Sequence, residues 1–148
     1  MAAISSSPKN LVDQLQTDHP DLEFVQDDIF FYTPPDTIHF IVDHPDKNLL
    51  TLHELGHALL KHVDYNLDIE LLQMEVQAWE KARDLSLRYK IKFNPDLLES
   101  QLDSYRDWLY ARSACPNCAM TGYQTPDRIY HCPTCLARWK AKVNRIRL

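Results

Sequence analysis

His53-Glu54-Leu55-Gly56-His57 sets two imidazoles four residues apart with a carboxylate between them. On a helix such residues share one face, so both rings can hold the same metal ion. Glu54 then lies beside that face, where it can orient and deprotonate a metal-bound water whose acidity zinc raises toward neutrality. Two histidines on a leucine-rich helix would otherwise need other buried partners.

A catalytic zinc site takes a third protein ligand and keeps its fourth position for water. Helical geometry singles out Glu75. The helix carrying the motif runs about six residues beyond His57, and the next begins about six residues before Glu75, so in an antiparallel hairpin both side chains stand about 9 Å from the turn. Glu70 sits too near the turn and Glu80 about 7 Å deeper. Glu75 also shares a stripe with Leu71, Ala78, Ala82 and Leu85, where an unpaired carboxylate would be costly. His62 lies about 180° around the helix from His53 unless the helix has already ended, and is expected at the surface or behind the ligands. Tyr65 and His62 are the candidates for an auxiliary donor at the mouth of the hairpin. The longer metzincin pattern needs Gly and His where the chain has Leu60 and Val63, and is excluded.

Cys115-x-x-Cys118 and Cys132-x-x-Cys135 are separated by 13 residues, close to the two-knuckle spacing in which four thiolates close a structural zinc site. The chain is therefore expected to take two Zn²⁺, one catalytic and one structural. Ala119 and Leu136 stand where glycine often follows the second cysteine of a knuckle, which predicts less regular turns. Beyond the last cysteine, Arg138, Trp139, Lys140 and Lys142 form a basic run carrying an aromatic, a candidate contact for nucleic acid or a protein partner, with Trp139 either stacking on a base or packing under the ribbon.

The elements that must position these groups are legible from pattern. Ser7-Pro8 opens a helix over residues 8–17. Leu22 to Val25, Ile29 to Tyr32 and Thr37 to Val42 read as three short strands, the last a candidate for pairing with an extended peptide. Residues 48–63 form a helix apolar on nearly every side, hence buried. Asp68 caps a helix over about 69–90, and Asn94-Pro95 opens another running to about Arg112. Helical periodicity stops near residue 113. The expected organisation is an α+β zincin-like domain over residues 1–113 and a separable zinc ribbon with a basic tail over 114–148.

The 148 residues, 45% apolar and 25% charged, suit one compact domain with a small appendage. No apolar run approaches the roughly 18 residues of a membrane span. Met1 to Asn10 lacks a basic segment followed by an apolar stretch, so a cytoplasmic address is expected, and four cysteines there favour metal over disulfides. Charge is lopsided: residues 1–110 hold nine Lys or Arg against 20 Asp or Glu, whereas 111–148 hold seven against one. An acidic body with a basic end leaves room for a rival function, a non-catalytic zinc-stabilised adaptor that binds a regulator or nucleic acid through the ribbon.

With His53-Glu54-Leu55-Gly56-His57-Ala58-Leu59-Leu60 followed by Glu75-Val76-Gln77-Ala78-Trp79, residues 20–90 resemble the ImmA/IrrE family of small zinc metallopeptidases. The resemblance implies a short sheet before the active-site helix, zinc on His53, His57 and Glu75, and Glu54 as catalytic base. It also implies a cytoplasmic protein substrate such as a helix-turn-helix repressor. The family's second helix usually reads Glu-x-x-Ala followed by Asp or Asn, and Trp79 occupies that last place. The ribbon is similar to that of SprT-like proteases, which also carry His-Glu-x-x-His. Those proteins use a third histidine, and none is suitably placed between His62 and His131.

Overall fold

A computed structural model describes residues 10–141 as a mixed α+β chain of four helices and two small sheets. Helix α1 (Leu11–Asp18) starts at Asn10, whose side chain accepts from the Asp13 amide at 2.8 Å. The start expected at Ser7-Pro8 falls outside the described residues. Three strands follow, β1 (Glu23–Gln26), β2 (Phe31–Thr33) and β3 (Thr37–Phe40), in the order β1-β3-β2. The β1–β3 pair is parallel and the β2–β3 pair antiparallel. The strand expected to accept a peptide is thus the central one, hydrogen-bonded on both sides. Among the described residues the open edges of this sheet belong to β1 and β2, and β2 packs with β3 against the next helix.

Helix α2 (Lys47–Leu59) carries the histidine motif and buries every residue from Thr51 to Ala58. It ends four residues earlier than periodicity suggests. Lys61 adopts a left-handed φ of 56°, and the His62 amide donates to the His57 carbonyl at 3.0 Å, so the chain turns back over the helix end. Helix α3 (Asp68–Arg88) antiparallels α2, with Leu71, Ala78, Trp79, Ala82 and Leu85 buried beneath it. Asp68 is not its cap. Glu70 reaches back to the amides of Asn66 and Leu67, at 2.7 and 3.0 Å, leaving the Asp68 carboxylate for another task. Helix α4 (Pro95–Ser113) begins as expected, Asn94 accepting from the amides of Asp96 and Leu97. The core gathers Leu11, Leu15, Ile38, Leu52, Leu55 and Trp79 between sheet and helices. Among the described residues no helix is long and apolar enough to cross a membrane.

The C-terminal part is an antiparallel sheet of β4 (Tyr123–Gln124), β5 (Ile129–His131) and β6 (Arg138–Lys140), with the cysteine pairs in the turns around it. A buried junction stitches it to the helices. Asp68 is 2% exposed. Its Oδ2 accepts from Arg112 Nε at 2.8 Å and from the Tyr130 hydroxyl at 2.6 Å, while its amide donates to Gln124 Oε1 at 2.7 Å.

Candidate metal centre

The α2–α3 hairpin brings His53, His57 and Glu75 together as expected, although α2 runs two residues past His57 and not the six that the equal-height argument assumes. His53 Nε2 lies 3.0 Å from one Glu75 oxygen, His57 Nε2 lies 3.2 Å from the other, and the two Nε2 atoms are 3.2 Å apart. All three residues are at most 2% exposed. Neither Glu75 oxygen has a well-aligned hydrogen bond, although both lie close to ring nitrogens. Acceptors crowded lone pair to lone pair in a dry interior are unstable unless a cation sits among them. Donors bound at about 2.0–2.1 Å in tetrahedral coordination stand roughly 3.3–3.4 Å from one another, which the observed separations approach. The donor set fits a metal ion.

Two backbone features allow the convergence. Gly56 lets α3 come so close that a Cβ there would meet the Ala78 carbonyl oxygen at 2.7 Å. Trp79, next to Ala78, stacks on the His53 ring with centroids 4.4 Å apart and 29° between planes. It stands where a short polar residue was expected and fixes the His53 ring by packing. Its buried Nε1 has no hydrogen-bond partner among the described residues. Glu54 is 1% exposed and its Oε1 is 3.9 Å from His53 Nε2, beside the cluster rather than in it.

Electrostatics prepare the donors for a cation. Burial pushes His57 down to about 4, so the ring is neutral near pH 7. Burial works in the opposite sense on Glu75, but the facing His53 and His57 rings outweigh it and hold the carboxyl at about 2. A neutral imidazole and an ionised carboxylate are the forms that bind metal.

His62 is buried, not at the surface. Because α2 has ended, its ring folds back behind His57, with Nδ1 2.9 Å from His57 Nδ1 and Nε2 3.0 Å from Gln77 Oε1. Tyr65 sits half-buried in the α2–α3 connection, its carbonyl accepting from Arg128 at 3.1 Å, which ties that connection to the C-terminal sheet. Sequence reasoning missed the roles of Gln77 and Gly56, and noted Trp79 without foreseeing that it stacks on His53. The signal for Gln77 was its position two residues beyond Glu75, on the helix facing the motif.

The second cluster holds Cys115, Cys118, Cys132 and Cys135, whose sulfurs lie within 4.8 Å of one another. The Cys115–Cys135 and Cys118–Cys132 pairs are each 3.5 Å apart. A tetrahedron with bonds of about 2.3 Å has edges near 3.8 Å, so these sulfurs too surround a metal-sized space. The Asn117 amide points at Cys115 Sγ, and those of Thr134 and Cys135 at Cys132 Sγ, all at 3.4 Å. The bond from Cys135, with that from Thr134, lowers the Cys132 thiol to about 6 despite burial. Contrary to expectation, the knuckle turns are regular. Ala119 and Leu136 take the left-handed conformation themselves, at φ 65° and 66°.

Trp139 is spent on packing and not offered to a base. It stacks on Tyr130 at 5.5 Å and 11°, and its Nε1 donates to the Arg112 carbonyl at 2.9 Å. Arg138 and Lys140 project into solvent on either side of it, and Lys142 lies outside the described residues. Two surface cavities, of about 250 and 330 Å³, open beside α1 and β3 and beside Lys90 and Lys92, and no residue of either metal cluster lines them. No known protein family, characterised protein or solved structure matches the chain.

Proposed function

We propose that the chain is a zincin-like metallopeptidase of the ImmA/IrrE type that hydrolyses a peptide bond in a protein substrate, and that a structural zinc ribbon completes its fold. The observation that supports this reading best is the placement of Glu54. It is a buried carboxylate on the same helix as two of the three converging donors, 3.9 Å from His53 Nε2 yet outside their cluster. A purely structural site has no use for a second carboxylate in that position.

His53, His57 and Glu75 would hold the catalytic ion, and the four cysteines the structural one. Zinc in the first site would supply Lewis acidity, polarising the scissile carbonyl and acidifying water. Glu54 accepts the proton of the attacking water and returns it to the departing amine. Trp79 and the His62–Gln77 pair keep the two rings in place. The open edge of β2, adjacent to α2, is the strand edge to which an extended substrate would add. A helix-turn-helix repressor is the substrate class that the family resemblance suggests, and the cytoplasm the compartment.

The second reading, a non-catalytic adaptor whose first zinc is a staple between α2 and α3, is favoured by one observation. Glu54 and all three donors are at most 2% exposed, so a peptide reaches them only after the surrounding elements part. Both readings expect two zinc ions per chain, and elemental analysis of wild type, Cys115→Ser and His57→Ala assigns each ion to its cluster. Comparing protein N-termini in cells expressing wild type or Glu54→Gln separates the readings. The peptidase reading expects new termini that vanish in Glu54→Gln while both zinc ions stay bound. Identical termini in the two strains support the adaptor.

A further inference from the structure

A neutral imidazole carries one N–H, so a ring that binds metal through Nε2 must hold its proton on Nδ1. In His57 the Nε2 faces the donor cluster and Nδ1 faces His62 Nδ1 at 2.9 Å. One of these two Nδ1 atoms must donate and the other accept. If His62 donated, His57 would carry its proton on Nε2, aimed at His53 and Glu75, and could not be a ligand. The partner beyond His62 decides between these states. His62 Nε2 lies 3.0 Å from Gln77 Oε1, and an oxygen only accepts, so His62 holds its proton on Nε2 and presents a bare Nδ1 to His57.

We propose that Gln77 and His62 form a positioning relay that sets the tautomer of His57, keeping its Nε2 lone pair available for the metal. This deepens the metal-centre reading of His53, His57 and Glu75 and rests on it. The fold is arranged for the relay. The left-handed Lys61 ends α2 early enough for His62 to come back against His57, and Gln77 stands on α3 two residues past Glu75, so one helix supplies both a ligand and the end of the relay. Both nitrogens of His62 are engaged, which accounts for an imidazole only 8% exposed.

The test is a long-range ¹H–¹⁵N spectrum of the histidine rings in the full chain, recorded metal-free and during titration of zinc against a chelator, so that occupancy is read at His57 itself. The relay expects His57 as the Nδ1–H tautomer before metal is added. His62→Phe, which has no acceptor, should give mixed His57 tautomers and a 10–100-fold weaker zinc affinity at this site. Gln77→Leu changes an exposed position and leaves the fold intact, and should shift the tautomers in the same direction. Gln77→Glu, a carboxylate that can only accept, should retain both the tautomer and the affinity. A metal-free wild type with His57 protonated on Nε2 overturns the relay, as do His62→Phe and Gln77→Leu binding zinc within twofold of wild type. A wild-type His57 resonance that ignores zinc overturns instead the metal reading on which the relay rests.

Discussion

The carbonyl oxygen of Ala78 lies 2.7 Å from where a Cβ on Gly56 would stand. Gly56 sits between the two motif histidines, and Ala78 one turn beyond Glu75, so this contact sets the spacing at which rings and carboxylate meet. Gly56→Ala would gain about 1 kcal/mol of helix propensity but force α2 and α3 apart, at an overpacking cost of about 1–3 kcal/mol. The obstruction is backbone and cannot rotate away. Expected are a lower thermal midpoint and weaker zinc binding at the histidine site, with the cysteine site unchanged. A variant that melts higher and binds zinc equally would show that the spacing is not critical.

A second contact gives a prediction in pH. The Tyr89 hydroxyl, at the end of α3, donates to Asp18 Oδ2, at the end of α1, at 2.6 Å. Burial, with the Asp18 carboxylate beside it, raises the phenol to about 12. The native state therefore keeps a proton that the unfolded chain releases above about pH 10. Its contribution is complete below pH 10 and is lost as pH climbs from 10 to 12. Denaturation midpoints of wild type and Tyr89→Phe at pH 8, 10 and 11 should converge as pH rises. A gap that stays constant would remove the linkage.

How much of this was legible depended on whether a residue's role is set by its own helix or by the other end of the chain. His53, His57, Glu75 and the four cysteines were readable because their chemistry imposes fixed spacings along regular structure. Asn94 was readable because a cap acts within one turn. Asp68 was misread as a cap because that is the commonest task of an aspartate at that place, whereas its partners lie 44 and 62 residues away. His62 depended on where α2 stops, which a left-handed Lys61 decides and no apolar pattern records. Strand order was not legible either. Three short strands in sequence leave their order open, and the parallel β1–β3 pairing puts the third in the middle.

The knuckle turns predict that glycine improves the cysteine site. Leu136 holds φ 66° and is 79% exposed, so it bears the left-handed cost without gaining burial. That cost is about 1–2 kcal/mol, partly offset by the flexibility glycine adds to the unfolded chain. Leu136→Gly should therefore stabilise the zinc-loaded protein by about 0.5–1 kcal/mol and tighten zinc binding at the cysteines, as measured by chelator competition. Ala119→Gly should act in the same direction. Destabilisation by both would mean that these turns are not under strain.

The junction at Asp68 bears on whether residues 114–148 can be removed without consequence. Arg112, whose side chain is 10% exposed, pairs directly with Asp68, while Arg128 holds the Tyr65 carbonyl. Arg112→Met would leave a nearly dry carboxylate without its charge partner, and such losses cost about 3–5 kcal/mol. Tyr130→Phe removes one hydrogen bond to the same carboxylate, about 1.5–3 kcal/mol. Truncation at residue 113 keeps Arg112 but deletes Tyr130, Gln124 and Trp139, and so opens the pair to water. The shortened chain should retain the helical core yet melt well below the full protein, and because Asp68 begins the helix that carries Glu75, its affinity for zinc at His53 and His57 should fall as well. Arg112→Met should be worse than Tyr130→Phe in chemical denaturation. A truncated body as stable and as tight for zinc as the full chain would show the ribbon to be a detachable module, with the Asp68 cluster contributing nothing to the metal centre.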